Sequence, residues 1–308
     1  MITLNSLFPQ LAMSKPTVFV LGSSGPIGSA TVKALSSKFS GKLNILAGTR
    51  DPASDKVAPL KSLPGVTVLQ ADMNDKEALP DLLTDVTSLF IVLPNNRIKL
   101  AIGAAEVAKL SGVKHILTVS MTTAELTDTI YGKLYSELES SIQHLEVPYT
   151  LIRLPRFVDS YWAFQHHIQH KSSFSTPGDP TKPLSAVVVE DAGKAAAAIM
   201  AEPEKHYGKT YKLISNCHTL NDLAAVFSEV LGKEVKYERM SYEDQRRLLI
   251  EVVGFSEEAA EGVLELYRLI DEESPVANQK DMSHFTKITG EEPTSLKEWV
   301  TRVAPAFK

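Results

Sequence analysis

The stretch TVFVLGSSGPIGSATVKAL, Thr17 to Leu35, decides the fold. Its first part, Thr17–Leu21, is β-branched and aromatic and reads as a buried strand. Gly22, Gly25 and Gly28 then spell GxxGxxG, and a helix follows over Ile27–Lys38 with Ala30, Val32, Ala34 and Leu35 at packing positions. A glycine trio set between a strand and a helix has a mechanism. Gly22 permits the tight turn, Gly25 lets the backbone approach a pyrophosphate, and Gly28 lets the helix pack close, leaving the helix N-terminal N–H groups to receive negative charge. The sequence therefore opens a Rossmann-type domain that binds a nicotinamide dinucleotide.

Outward from this unit the βα rhythm continues. Strands are expected at Leu43–Ala47, Val66–Gln70, Ser88–Leu93, His115–Ser120 and Tyr149–Leu154. Between them fall helices at Val57–Leu63, Lys76–Leu83, Lys99–Ser111 (closed by Gly112) and Tyr131–Leu145. Alternation of this kind specifies an α/β, doubly wound parallel sheet. After Leu154 the rhythm breaks at Pro155, Pro177, Pro180 and Pro183, around a helical stretch at Tyr161–His170. Val187–Val189 and Thr210–Ser215, with the Ala-rich helix Asp191–Ala201 between them, read as a return to the sheet edge. Helices at Leu220–Leu231, Tyr242–Val253, Ser256–Asp271 and Ser295–Ala304 complete a smaller, mostly helical substrate lobe. The division is a tail over 1–14, a dinucleotide-binding core over 15–158 continued by 184–216, and a lobe from 159–183 and 217–308.

Composition narrows the function classes. The 308 residues carry a formal net charge of −5, with 44% hydrophobic and 22% charged residues, the balance of an ordinary globule. No run of Lys or Arg offers a footprint for a phosphate backbone, so nucleic acid is not an expected partner. Met1–Met13 lacks a signal-peptide pattern, and no stretch reaches the ~20 apolar residues of a membrane helix. Cys217 is the only cysteine. It forbids an internal disulfide and suits a reducing compartment, which places the protein in the cytoplasm.

At the end of the second strand stand Gly48, Thr49, Arg50 and Asp51, where an NAD site ordinarily puts a carboxylate on the ribose diol. The Arg50 guanidinium can grip a 2'-phosphate in a fork of charge-assisted bonds, which favours NADP(H); Asp51 is the competing diol ligand. Asp72 and Met73, after the third strand, stand where they can frame the adenine or serve as a cap and a core residue.

With these residues assembled, the chain resembles the NmrA-like group of atypical short-chain dehydrogenase/reductases, which includes NADPH-dependent quinone and triphenylmethane reductases and redox-sensing proteins. The segments that carry the likeness are VLGSSGPIGSATVKAL (Val20–Leu35), TRDP (Thr49–Pro52), ADMND (Ala71–Asp75) and YGKLYSELESSI (Tyr131–Ile142). VPYTLIRLPRF (Val147–Phe157), VVVEDAGKAAA (Val187–Ala197) and ITGEEPTSLKEWV (Ile288–Val300) extend it nearly end to end. The resemblance implies a cofactor shell of Gly22, Ser23, Ser24, Gly25, Pro26, Ile27, Gly28, Arg50, Asp72, Met73, Leu93, Pro94, Ser120, Lys133, Leu154, Pro155, Arg156 and Phe157. It implies that Lys133 reaches the nicotinamide ribose and carboxamide, and it leaves Tyr131 as a candidate acid. No tyrosine stands four residues before a lysine, so the Tyr-x-x-x-Lys pair of ordinary short-chain dehydrogenases is missing.

Residues 160–170, SYWAFQHHIQH, lie where the group builds its substrate pocket, and they depart from the group's usual NG-x-x-x-EN. Tyr161, Trp162, Phe164 and His167 are expected to line a pocket for a flat, conjugated molecule, the alternative being lobe core. His166 and His170 have metal-ligand spacing, but no metal is expected. Three functions stay open: a reductase passing hydride from NADPH to a quinone or another conjugated acceptor, a non-catalytic NADP(H) sensor acting through a protein partner, and an isomerase or lyase with tightly held cofactor, for which the sequence offers nothing specific. The chain is expected to be a monomer or homodimer.

Overall fold

A computed structural model describes residues 15–93 and 97–308; the N-terminal tail and Pro94 lie outside the described residues. Strands β1 (Thr17–Leu21), β2 (Asn44–Thr49), β3 (Val66–Gln70), β4 (Val86–Ile91), β5 (His115–Met121) and β6 (Tyr149–Leu154) run through the first half. Between them come α1 (Pro26–Phe39), α2 (Ala58–Lys61), α3 (Leu79–Leu82), α4 (Ile98–Leu110) and α5 (Ile130–His144). There follow β7 (Arg156–Phe157), α6 (Gln165–Lys171), β8 (Ser173–Thr176), β9 (Leu184–Val187), α7 (Val189–Ala201), β10 (Lys209–Lys212), β11 (Asn216–His218), α8 (Leu220–Leu231) and β12 (Lys236–Arg239). Helices α9 (Tyr242–Arg247), α10 (Glu257–Asp271), α11 (Ser283–Thr289) and α12 (Leu296–Val303) end the chain.

Among the described residues, the main sheet has seven parallel strands in the order β10-β6-β5-β4-β1-β2-β3. Strand alternation sends Val18 and Val20 to one face, against Val32 and Leu35 of α1 and Ala192, Ala196 and Ile199 of α7. Phe19 and Leu21 go to the other, against Ala101, Ala105, Tyr135 and Leu138 of α4 and α5. Both faces are covered, as a parallel sheet requires. Because β1 lies between β2 and β4, the order reverses there and opens a crevice at the strands' carboxyl ends.

The second half differs from expectation in three places. Val187–Val189 does not rejoin the main sheet: β9 pairs with β7 and β11 in a separate three-stranded sheet, and the sheet edge is supplied by β10 alone. A two-stranded parallel pair, β8 with β12, has no counterpart in the sequence reading. Helix α11 is also additional, and its Phe285 is buried in the core shared by α1 and α7. The lobe has its own core of Tyr161, Phe174, Leu223, Phe227, Trp299 and Phe307. His115 is buried near the amino ends of the strands, bonded to Ser88 Oγ (2.8 Å) and Thr150 Oγ1 (2.9 Å). Burial lowers its pKa to about 3, so it is a neutral core group and stands at the wrong edge of the sheet for catalysis.

Candidate functional site

The β1–α1 turn is built from backbone. Gly22 holds φ at +96°, and the amides of Gly22 and Ser23 both donate to the Gly48 carbonyl (3.1 and 2.9 Å), tying the turn to β2. The Ser23 hydroxyl donates to the same carbonyl (2.9 Å) and is fully buried, so its side chain braces the turn instead of facing a ligand. A Cβ on Gly28 would stand 2.3 Å from the Gly22 carbonyl oxygen, which shows how tightly α1 sits on the turn. Gly25 is the N-cap with no side-chain cap, and Pro26 follows. The first N–H groups of α1 therefore have neither an intrahelical acceptor nor a side chain to satisfy them. They open onto a cleft of about 670 Å³ at the sheet reversal.

Of the expected cofactor shell, Gly22, Ser24, Gly25, Pro26, Ile27, Arg50, Asp72, Met73, Leu93 and Phe157 line this cleft, together with Leu21. Lys56 and Arg97 line it too and were not foreseen. Arg50 and Lys56 flank the place where a second-strand carboxylate would stand, and neither is in an ion pair among the described residues. Asp51 turns inward on its own loop, accepting from Ala53 N (2.9 Å), and is not on the cleft. Asp72 accepts from the backbone and side-chain nitrogens of Asn74 (2.9 Å each), which sets the loop below.

Several expected cofactor residues lie elsewhere. Ser120 is fully buried on the α5 side of β5, donating to Glu139, which Arg153 grips in a fork (2.8 and 2.6 Å). Leu154 is core. Pro155 and Arg156 border a separate crevice, and of the two β7 residues, whose side chains alternate, only Phe157 lines the cleft.

Neither candidate catalytic residue reaches the cleft. The Tyr131 hydroxyl donates to the Ala259 carbonyl (3.0 Å), and its ring packs so closely on α10 that a Cβ at Gly262 would lie 2.9 Å away. Lys133 is exposed, on a stripe with Glu137 and Ser140 at helical spacing, and is absent from the cleft lining. Lys133→Ala is accordingly expected to change kcat by no more than about twofold, the range of an ordinary surface substitution. A large loss of turnover with unchanged NADPH affinity would return Lys133 to the nicotinamide.

The lobe residues divide as well. Tyr161 is buried, bonded to His218 Nε2 (2.8 Å) and stacked on Phe164, which itself stacks on Phe174: these are lobe core. Trp162, 40% exposed, leans on Trp299 and Phe307. It borders a different groove of about 830 Å³ between α1, α7 and α12, which is roomier than the dinucleotide cleft but lacks the glycine turn's amides. His167 is exposed on α6 beside His166, whose ring lies 4.5 Å from that of His170. Among the described residues no three His, Cys, Asp or Glu converge, and no helix is long and apolar enough to cross a membrane.

The sequence model of the NmrA-like family matches residues 14–300. Quinone oxidoreductase 2 of Escherichia coli is 27% identical over 237 residues, 74% of this chain and 79% of that protein. The structure of the Escherichia coli NADPH-dependent quinone oxidoreductase complexed with NADPH superposes with a TM-score of 0.79 at 26% identity, covering 93% of this chain and 99% of the other. The Citrobacter sp. triphenylmethane reductase complexed with NADP(H) gives a TM-score of 0.76 at 26% identity over 93% and 99% of the two chains. A (4-alkanoyl-5-oxo-2,5-dihydrofuran-3-yl)methyl phosphate reductase of Streptomyces griseus is 24% identical over 94% of this chain and 99% of its own.

Proposed function

The chain belongs to the NmrA-like family, and from that premise we propose that it is an NADPH-dependent reductase that passes hydride to a quinone or another conjugated, electron-poor small molecule. The observation that carries the reading is the pair of unpaired cations, Arg50 and Lys56, on the cleft that begins at the GxxGxxG turn, with Asp51 turned away. Two positive charges there favour a 2'-phosphate over a bare diol. The relatives named above as reductases, two of them seen with NADP(H), support the same reading.

The residues present fit that cofactor. The Gly28 contact leaves no space for a side chain, so the turn lies flat and the α1 N–H groups can meet a pyrophosphate. Arg50 and Lys56 would hold the 2'-phosphate, and Met73 and Asp72 would frame the adenine. Bound NADPH supplies a hydride. Phe157, Leu93 and Val92 give the cleft an apolar part of its lining. Among the described residues no tyrosine lines the cleft, and the Tyr131 hydroxyl is engaged with Ala259. A quinone suits this site: the charge delivered with hydride spreads into a delocalised system whose oxygens take protons from water.

The test follows NADPH absorbance with a panel of quinones, enones and simple ketones. Consumption with quinones or enones and none with simple ketones is expected. If NADPH binds normally but no acceptor is reduced, the reductase reading fails in favour of an NADP(H) sensor with a protein partner.

A further inference from the structure

We propose that the crevice behind Phe157 is an anion site, in which Arg156 receives a carboxylate or phosphate group carried by the acceptor; this rests on the reductase reading and adds the substrate's charge to it. The crevice lies at the carboxyl ends of β5 and β6, lined by Thr122, Thr123, Pro155 and Arg156, with Leu266 and Ile270 of α10 above. Its lining and that of the dinucleotide cleft come together in the chain at Arg156 and Phe157, the successive residues of β7.

Arg156 is partly buried and has no carboxylate within ion-pair reach among the described residues. The tail and loop outside them, 1–14 and 94–96, contain no Asp or Glu either. Its neighbours are tyrosines: the Tyr267 ring lies 4.4 Å from the guanidinium carbon, with Tyr161 and Tyr237 nearby. Burial raises the Tyr161 and Tyr237 pKa values, so those phenols stay neutral and bring no charge. A guanidinium taken out of water without a counter-charge is costly, and a cation–π contact returns only part of that cost.

Six of the chain's nine arginines are treated differently. Arg153, three residues earlier, is clasped by Glu139 and Glu125, and Arg239, Arg246, Arg247, Arg268 and Arg302 each stand within ion-pair reach of a carboxylate. The arginines without one among the described residues are Arg50, Arg97 and Arg156, and all three line spaces at the carboxyl edge of the sheet. The first two stand where the phosphates of a dinucleotide would lie. By the same logic the third awaits an anion of its own. A second polar atom in the same crevice agrees: Thr123 Oγ1 is buried without a hydrogen-bond partner. The space is about 30 Å³, against about 670 Å³ for the dinucleotide cleft, so it takes the charged oxygens of a small head group and no ring. The conjugated part of the acceptor stays outside it.

The test is binding, not turnover. Dissociation constants for benzoate, phenyl phosphate and neutral benzamide are measured on the NADP⁺-loaded protein, on Arg156→Gln and on Thr123→Val. At least one anion is expected to bind about tenfold tighter than benzamide. Which anion does so separates a carboxylate from a phosphate acceptor. Arg156→Gln should erase the preference, and the near-isosteric Thr123→Val, which leaves the cation–π contact intact, should reduce it about threefold. Equal binding of anions and benzamide, no binding of any of them, or a preference that survives both variants overturns the proposal. Because the readout needs no hydride transfer, anion binding without NADPH oxidation would sink the reductase reading alone. Reduction of neutral acceptors with no anion preference would sink only this one.

Discussion

Arg50→Ala is expected to weaken NADPH binding about ten- to a hundredfold, ~1.5 to 3 kcal/mol, and to leave NADH nearly untouched. The guanidinium lines the cleft beside β2 and has no carboxylate to compensate for its loss or to compete for its charge. Lys56→Ala should cost NADPH less, since an ammonium acts as a point charge without the planar fork. Both side chains reach solvent, so the NADPH preference should shrink as salt is raised. Parallel titrations of both dinucleotides at two ionic strengths decide the matter. Equal weakening of NADPH and NADH by Arg50→Ala would mean that Arg50 touches something common to both, and the 2'-phosphate assignment would fall.

How far the sequence foretold this arrangement depends on the range of the signal. Strand and helix periods in the first half are local, so β1 to β6 and their helices emerge close to the expected bounds; the glycine trio and Arg50 are marked by position within that pattern. Ser173–Thr176 and Lys236–Arg239 are short and polar, and they become strands only because each finds the other some sixty residues away. Nothing in either segment announces the pairing, because its stabilisation comes from the partner. Lys56 escaped for a similar reason: it sits in the turn DPASDK with no motif of its own, and only the fold brings it beside Arg50.

Side-chain direction was the harder part. The resemblance implies one cofactor shell for Pro155, Arg156 and Phe157, but alternation along β7 sends Arg156 and Phe157 to different spaces. Tyr131 and Lys133 were placed by likeness to related chains, whereas the close packing of α10, through Gly262 on the Tyr131 ring, decides where that tyrosine points. The aromatic run at 161–164 was legible as either pocket or core. Its stacking on Phe174 and Trp299 makes Tyr161 and Phe164 core, a choice set by β8 and α12, both distant in sequence.

Gly28→Ala should reduce NADPH affinity more than tenfold and lower thermal stability, although alanine is by propensity the better helix former by up to ~1 kcal/mol. Steric contact decides the sign. The new Cβ would stand 2.3 Å from the Gly22 carbonyl oxygen and 2.9 Å from Ser23 Cα, all backbone that no rotamer change can clear. Nor can the turn retreat, because it is backed by the Val92 carbonyl, which a Cβ added at Gly22 would meet at 3.0 Å, and the Gly22 amide is bonded to Gly48. Helix α1 must therefore lift away, at an overpacking cost of ~1 to 3 kcal/mol, and carry its free N–H groups out of line with the pyrophosphate. Gly103→Ala in α4 is the control: there the Cβ would meet only the flexible end of Lys76, at 3.5 Å, so propensity should prevail and stability should hold or rise. Measured together by thermal melting and NADPH titration, the two variants separate a general effect of replacing a helix glycine from a specific demand of the cradle. If Gly28→Ala binds NADPH as tightly as Gly103→Ala does, the turn is not where the pyrophosphate rests.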